Sequence, residues 1–130
     1  MEIINPPQWP RPKGYSNAIQ TSGKLLHTAG VIGWNGDEVI EHDHMLGQFA
    51  QALENIKAIL AHAGLEPEHM VRMTWYVTDM QDYRDNLSSY GQVYRDIMGK
   101  VYPTMACIGV SSLVEERAKI EIEVTAEYPA

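Results

Sequence analysis

Alternation of apolar and polar residues near the end of the chain is the feature that most restricts the fold. Residues 118–126 read AKIEIEVTA, and the apolar positions are Ala118, Ile120, Ile122, Val124 and Ala126. A period of two is typical of a β-strand with one buried face. Residues 103–110, PTMACIGV, form a second strand-like run. The two runs are predicted to pair as a hairpin centred near Val114. Cys107 would then lie opposite Glu121, about 5 Å apart at Cβ, with Met105 on the same face.

Two amphipathic helices are predicted in the middle of the chain. Residues 43–63 place apolar side chains three and four positions apart, at Leu46, Phe49, Leu53, Ile56 and Leu60. Asp43 suits the N-cap, and Gly64 suits the C-terminal end. Residues 82–98 form the second helix, and its stripe is Tyr83, Leu87, Tyr90, Tyr94 and Ile97. Gly99 ends that helix.

Further strands are predicted before and between the helices. Residues 17–20 and 24–30 flank the turn-like triplet 21–23 and are predicted to form a hairpin. Residues 2–5 are a further short strand in a proline-rich start, and residues 30–38 form a glycine-rich loop. Residues 70–78, MVRMTWYVT, are rich in β-branched and aromatic side chains and predict a strand.

The resulting order is β-β-α-β-α-β-β in a single domain spanning residues 1–130. Two helices covering one face of a mixed sheet define a two-layer α+β fold. The predicted hairpin leaves Met105, Cys107 and Gly109 on the open face beside Glu121. Because an exposed face of that character usually needs a partner, we expect a homo-oligomer.

Composition excludes several classes of protein. Ten basic and seventeen acidic residues give a net charge of −7, which argues against nucleic-acid binding and against ribonuclease activity. One cysteine excludes an internal disulfide. No secretory signal or membrane-length apolar run is visible, so a cytoplasmic protein is expected. No zinc-type ligand spacing or phosphate-binding glycine motif is present either, and no metal is expected.

Five local motifs, in order, resemble the RidA/YjgF family of small enamine/imine deaminases. GYSNA at 14–18 is similar to the family's Gly-Pro-Tyr-Ser-Gln-Ala, and HTAG at 27–30 is similar to Thr-Ser-Gly. Residues 51–65 and 76–80 resemble the family's first helix and following strand. PTMAC at 103–107 and KIEIEVTA at 119–126 resemble Pro-x-Arg-x-Cys and Lys-Ile-Glu-Ile-Glu.

The resemblance implies a chorismate mutase-like homotrimer with a central barrel of sheets and clefts between subunits. It implies hydrolysis of a reactive enamine or imine to a carbonyl compound and ammonia, without metal or cofactor. The cleft residues carried over by position are Tyr15, Ala29, Gly30, Cys107 and Glu121.

Several residues differ from the family pattern at positions that bind the substrate. Met105 stands where the family has a substrate-binding arginine, and a thioether cannot replace its bidentate contact with a carboxylate. Ala29 replaces a serine, and Leu87 stands where an asparagine is common. Trp34, in the glycine-rich loop, and Trp75 are expected to line a larger, more apolar cleft. The hypothesis is a substrate that is bulkier or differently charged, such as a 2-aminomuconate-like enamine from aromatic-ring breakdown. The alternative is a non-catalytic trimer that binds a small metabolite or a partner protein.

Glu121 is the predicted catalytic residue, since a partly desolvated carboxylate can deliver and accept protons in imine hydrolysis. The competing interpretation is a solvated strand residue. Cys107 lacks an activating histidine, so it is expected to line the cleft without covalent chemistry. Tyr15 either orders water and substrate or packs on the sheet, and Met105 is expected to pack in the cleft or at an interface.

Overall fold

The strands form two sheets in the computed structural model, which describes residues 1–130. Strands β1 (Glu2–Ile4) and β2 (Ala18–Gln20) pair separately from the rest. Strands β3 (Leu25–His27), β4 (Met70–Val77), β5 (Thr104–Gly109) and β6 (Ile120–Glu127) form the main sheet in the order β3-β6-β4-β5. The β4–β5 pair is parallel and the other pairs are antiparallel. The predicted α+β class with a mixed sheet is therefore confirmed.

The first predicted helix is confirmed as α1 (Met45–His62). Phe49, Leu53, Ile56 and Leu60 from its predicted stripe are fully buried, whereas Leu46 is only partly buried. Two residues after the helix comes Gly64, whose φ of +78° suits glycine. The amides of Gly64 and Leu65 donate to the carbonyls of Ala61 and Leu60, which is a Schellman motif.

Two details of the predicted helices are wrong. The N-cap of α1 is His44 rather than Asp43, and the Asp43 carboxylate instead pairs with Arg117 at 3.0 Å. The second helix is divided into α2 (Met80–Asp85) and α3 (Leu87–Met98). Asn86 separates them because its side-chain amide donates to the carbonyl of Asp82 and competes with the helical pattern. Leu87 consequently begins a new helix and is 55% exposed.

An aromatic cluster fixes the helices on the sheet. The Phe49 ring contacts those of Trp75 and Tyr90 edge-on, with centroids 4.8 Å and 5.2 Å apart. Trp75 is 5% exposed and belongs to the core beneath the helices.

No α-helix in the structure has the length and apolar character of a membrane-spanning segment.

The predicted hairpin of residues 103–110 with 118–126 is wrong. Strand β4 lies between β5 and β6, so β5 contacts β4 alone. The helical crossover α2–α3 brings β5 parallel to β4, and residues 110–119 then carry the chain past β4. Alternation shows which side chains of a strand share a face, but it does not identify the neighbouring strand.

This strand order also reverses the predicted face of two site residues. Cys107 pairs with Trp75, which pairs with Ile122, so Cys107 faces the helices. Met105 pairs with Met73 and faces the helices too. Glu121 pairs with Tyr76 on the open face. The expected open face of Met105, Cys107 and Gly109 beside Glu121 is therefore wrong. That face is largely polar, with Arg72, Thr74, Tyr76, Thr104, Glu121 and Glu123 at its registered positions.

The predicted hairpin of residues 17–20 with 24–30 is wrong as well. Strand β2 pairs with β1, and β3 pairs with β6. Between them, the amides of Ser22 and Gly23 donate to the buried Glu127 carboxylate at 2.8 Å and 2.7 Å. These backbone hydrogen bonds lower the pKa of Glu127, and they hold the turn against β6 instead of closing it on itself.

Candidate functional site

Glu121 lines a cavity of about 370 Å³, which we call the Glu121 cavity. Its walls include Gly30, Val31, Trp34, Asn55, Glu115 and Glu121. The size suits a small molecule. The structure thus brings together three of the predicted site residues, Gly30, Trp34 and Glu121.

Gly30 leaves the space that the Glu121 side chain occupies. A β-carbon on residue 30 would lie 2.6 Å from the Glu121 carboxylate carbon and still closer to one of its oxygens. Any other residue at position 30 would therefore displace the carboxylate. Glycine is needed here because the Glu121 side chain approaches the backbone closely, and this contact places one wall of the cavity directly against Glu121.

The 30–35 loop is fixed by hydrogen bonds to the strand and to α1. Val31 and Ile122 exchange backbone hydrogen bonds of 2.7 Å and 2.8 Å. The Asn55 side-chain amide donates to the carbonyls of Ile32 and Trp34 at 3.1 Å and 2.7 Å. Sequence reasoning missed Asn55. The sequence shows only a polar residue on α1 next to the buried Ile56, and the pattern of apolar residues gives that polar residue no role.

Glu121 and Glu123 differ in their partners although both lie on the open face of β6. The Tyr76 hydroxyl donates to Glu123 at 2.7 Å, and this hydrogen bond raises the pKa of Tyr76. The Glu121 carboxylate accepts no hydrogen bond from another side chain of this chain, and its oxygen lies against Gly30. Glu121 is therefore the carboxylate of this pair that is available to a molecule in the cavity.

Met105 lines a different cavity, of about 360 Å³, between the helices and the edge of the sheet. This Met105 cavity also includes Lys13, Trp75, Tyr83, Leu87 and Arg95. Met105 faces the helices whereas Glu121 is on the open face, so one chain does not bring the two together. Leu87 lies here too, although its side chain is mostly exposed.

Tyr15 and Ala29 stand apart from the Glu121 cavity. Tyr15 is 40% exposed and lines a third cavity, of about 590 Å³, with Arg11 and Tyr102. The Ser16 hydroxyl donates to the Tyr102 carbonyl at 2.6 Å and fixes this loop beside the Met105 cavity. Ala29 is exposed next to Gly30, and its carbonyl accepts from the Thr28 hydroxyl at 2.8 Å.

Cys107 is partly buried on the helix-covered face. Burial raises the pKa of its thiol to about 11. A thiol of that pKa holds little thiolate at neutral pH, so the geometry and the chemistry both disfavour a nucleophile. No group of three or more His, Cys, Asp or Glu side chains is arranged to hold a metal ion.

The labelling of Cys107 should follow its raised pKa. At pH 8 its thiolate fraction is expected to be roughly a hundredfold below that of a free cysteine. Iodoacetamide should therefore label the folded protein slowly at pH 8, and the rate should rise about tenfold per pH unit towards pH 11. The same protein in urea is the control and should react quickly. Rapid labelling of the folded protein at pH 8 would contradict this assignment.

Comparison with known proteins identifies the family. The sequence model described as Endoribonuclease L-PSP matches residues 9–128. A RutC family protein of Aquifex aeolicus is 33% identical over 127 residues, covering 97% of this chain and 98% of its own. The fold is similar to that of YyfB, a Rid-family protein of Yersinia pestis, with a TM-score of 0.85, 33% identity and 98% of each chain covered. The chain therefore belongs to the RidA/YjgF family, as its motifs predict.

One relative in Escherichia coli carries a name that refers to a reaction. TdcF, provisionally named as a reactive intermediate deaminase, is 37% identical over 75 residues, which cover 58% of this chain and 57% of TdcF. A crystal structure of TdcF with bound serine matches 99% of this chain and 100% of that chain, with a TM-score of 0.71 and 28% identity.

Proposed function

We propose that this protein hydrolyses a reactive enamine or imine to a carbonyl compound and ammonia. The observation that carries the proposal is the Glu121 carboxylate, which lies against Gly30 in a cavity of about 370 Å³. Family membership supports the reaction class, and the provisional name of TdcF refers to the same class. The serine bound to TdcF supports a ligand of amino-acid size.

A single carboxyl group can perform the proton transfers that this reaction needs. In its acid form Glu121 protonates the imine nitrogen, or the carbon of an enamine, and becomes a carboxylate. The carboxylate then takes a proton from the water that attacks the electrophilic carbon. The same proton passes to the amino group of the carbinolamine. The carbon–nitrogen bond then breaks, ammonia leaves, and the hydroxyl proton returns to the Glu121 carboxylate as the carbonyl forms, which restores the acid form.

The site is proposed to be completed between subunits of a homotrimer. The Glu121 cavity is lined by two carboxylates and no cation, whereas the Met105 cavity is lined by Lys13 and Arg95 and no carboxylate. An anionic imine needs both kinds of group. The family resemblance, which implies a homotrimer with clefts between subunits, supports a neighbouring chain bringing its Met105 cavity to Glu121.

Met105 supports a substrate other than the smallest 2-imino acids. We expect ammonia release from imines generated in situ to be at least about tenfold more efficient, in kcat/KM, for bulky unsaturated enamines than for 2-iminopropionate. A 2-aminomuconate-like compound belongs in the panel. The protein-free rate of imine hydrolysis is the control. Turnover of small aliphatic imino acids alone would contradict the altered substrate choice.

A non-catalytic trimer that binds a metabolite is the second candidate. Met105 favours it, because loss of the family arginine removes a contact that would hold a substrate in place. Saturable binding without ammonia release from any substrate of the panel would support this candidate. Ribonuclease activity, to which the name of the family model refers, is disfavoured by the net charge of −7.

A further inference from the structure

We propose that the Met105 cavity binds a ligand with a planar, apolar body and a carboxylate. Arg95, with Lys13, would bind that carboxylate in place of the family arginine. This inference rests on the proposed function, since the ligand is the anionic end of the same substrate. It assigns the recognition of that end to residues outside the motif that carries Met105.

Neither of the two cations, Arg95 and Lys13, has an acidic partner. The two ion pairs of the chain involve neither Arg95 nor Lys13. The only hydrogen bond of the Arg95 guanidinium is a long one, donated to the neutral Gln92 side-chain oxygen at 3.4 Å. A β-carbon on Gly91 would lie 3.2 Å from the guanidinium, so the absence of a side chain there leaves room for Arg95 at the cavity wall.

The cavity also contains a buried hydrogen-bond donor. Trp75 lines the cavity and is 5% exposed, and its indole nitrogen has no hydrogen-bond partner. An indole N–H can only donate, and a buried donor without a partner is unfavourable. An oxygen acceptor bound in the cavity is the kind of group that would satisfy it.

The aromatic walls define the rest of the ligand. The hydroxyls of Tyr90 and Tyr94 already donate to Asp82 and to the Val101 carbonyl, both at 2.6 Å. These two rings are buried and form the floor of the cavity, and the partly exposed rings of Tyr83 and Tyr102 offer apolar surface to a ligand. Stacking on such walls favours a flat, unsaturated body, and the two cations favour a carboxylate attached to it.

Direct binding tests the assignment without turnover. Benzoate and benzamide have the same shape and differ in charge, and calorimetry on the whole protein measures both. Wild type is expected to bind benzoate at least about tenfold more tightly than benzamide. Arg95→Gln should reduce benzoate affinity about tenfold and leave benzamide affinity unchanged. Lys13→Gln should act in the same direction. Arg84→Gln removes an exposed arginine on α2 that does not line the cavity, and it should change neither affinity.

Each outcome separates this inference from the proposed function. Equal binding of benzoate and benzamide, or equal effects of Arg95→Gln and Arg84→Gln, would overturn the anion site even if ammonia release is observed. Selective loss of benzoate binding in Arg95→Gln, without ammonia release from any imine, would support the anion site and contradict the deaminase.

Discussion

Glu121→Gln is expected to lower the kcat of ammonia release by about 100- to 10,000-fold, which is the usual contribution of a general acid–base group. Glutamine has nearly the same shape, so it still fits against Gly30. An amide, however, neither delivers a proton to the imine nitrogen nor removes one from water. The loss should therefore fall on kcat while the affinity for a substrate analogue changes little.

Glu123→Gln is the matched control for this measurement. Glu123 lies two residues along the same strand and faces the same side, but its carboxylate accepts a hydrogen bond from Tyr76. Its replacement should preserve turnover. Light scattering should give the same mass for wild type and both variants, which shows that lost activity is not lost assembly, and that mass also tests the proposed trimer. Equal losses in the two variants would show that charge on this face matters rather than proton transfer by Glu121.

Local patterns in the sequence predicted single elements well. The stripe of α1 was correct because the interval of three and four residues has a direct geometric cause. The buried face of β6 was correct because strand side chains alternate. The break at Asn86 was missed, since it depends on one side-chain hydrogen bond that competes with a helical pattern continuing on both sides of it.

Strand neighbours were not predictable from such patterns, and this error carried into the site. Both predicted hairpins joined strands that are close in sequence, whereas the fold inserts β4 between β5 and β6. Cys107 and Met105 were consequently placed on the face of Glu121. Gly30 and Trp34 were identified through the resemblance and the glycine-rich loop, and the structure places them in one cavity with Glu121. Asn55 was missed because its role depends on two carbonyls that are distant in sequence.

Asn55→Ala is expected to lower the free energy of unfolding by about 1–3 kcal/mol. The change removes the donor shared by the Ile32 and Trp34 carbonyls and leaves both without their partner. Because these carbonyls belong to the loop that lines the cavity together with Glu121, the loop should also lose its fixed position. Displacement of about 1 Å in a catalytic site can reduce activity about a hundredfold, and we expect a fall in kcat/KM of up to that size.

Urea unfolding, ammonia release and hydrogen exchange of the 31–35 amides measure the three parts of this prediction. Gln81→Ala is the control, because Gln81 is an exposed helix amide that donates only to Asp85. Asn55→Asp keeps the shape but loses the amide donor, so it should be no better than alanine. If the aspartate variant kept wild-type turnover and slow exchange, the Val31–Ile122 backbone pair alone would hold the loop. Fast exchange with lost turnover would mean that Asn55, a helix residue with no chemical role of its own, positions the cavity wall beside Glu121.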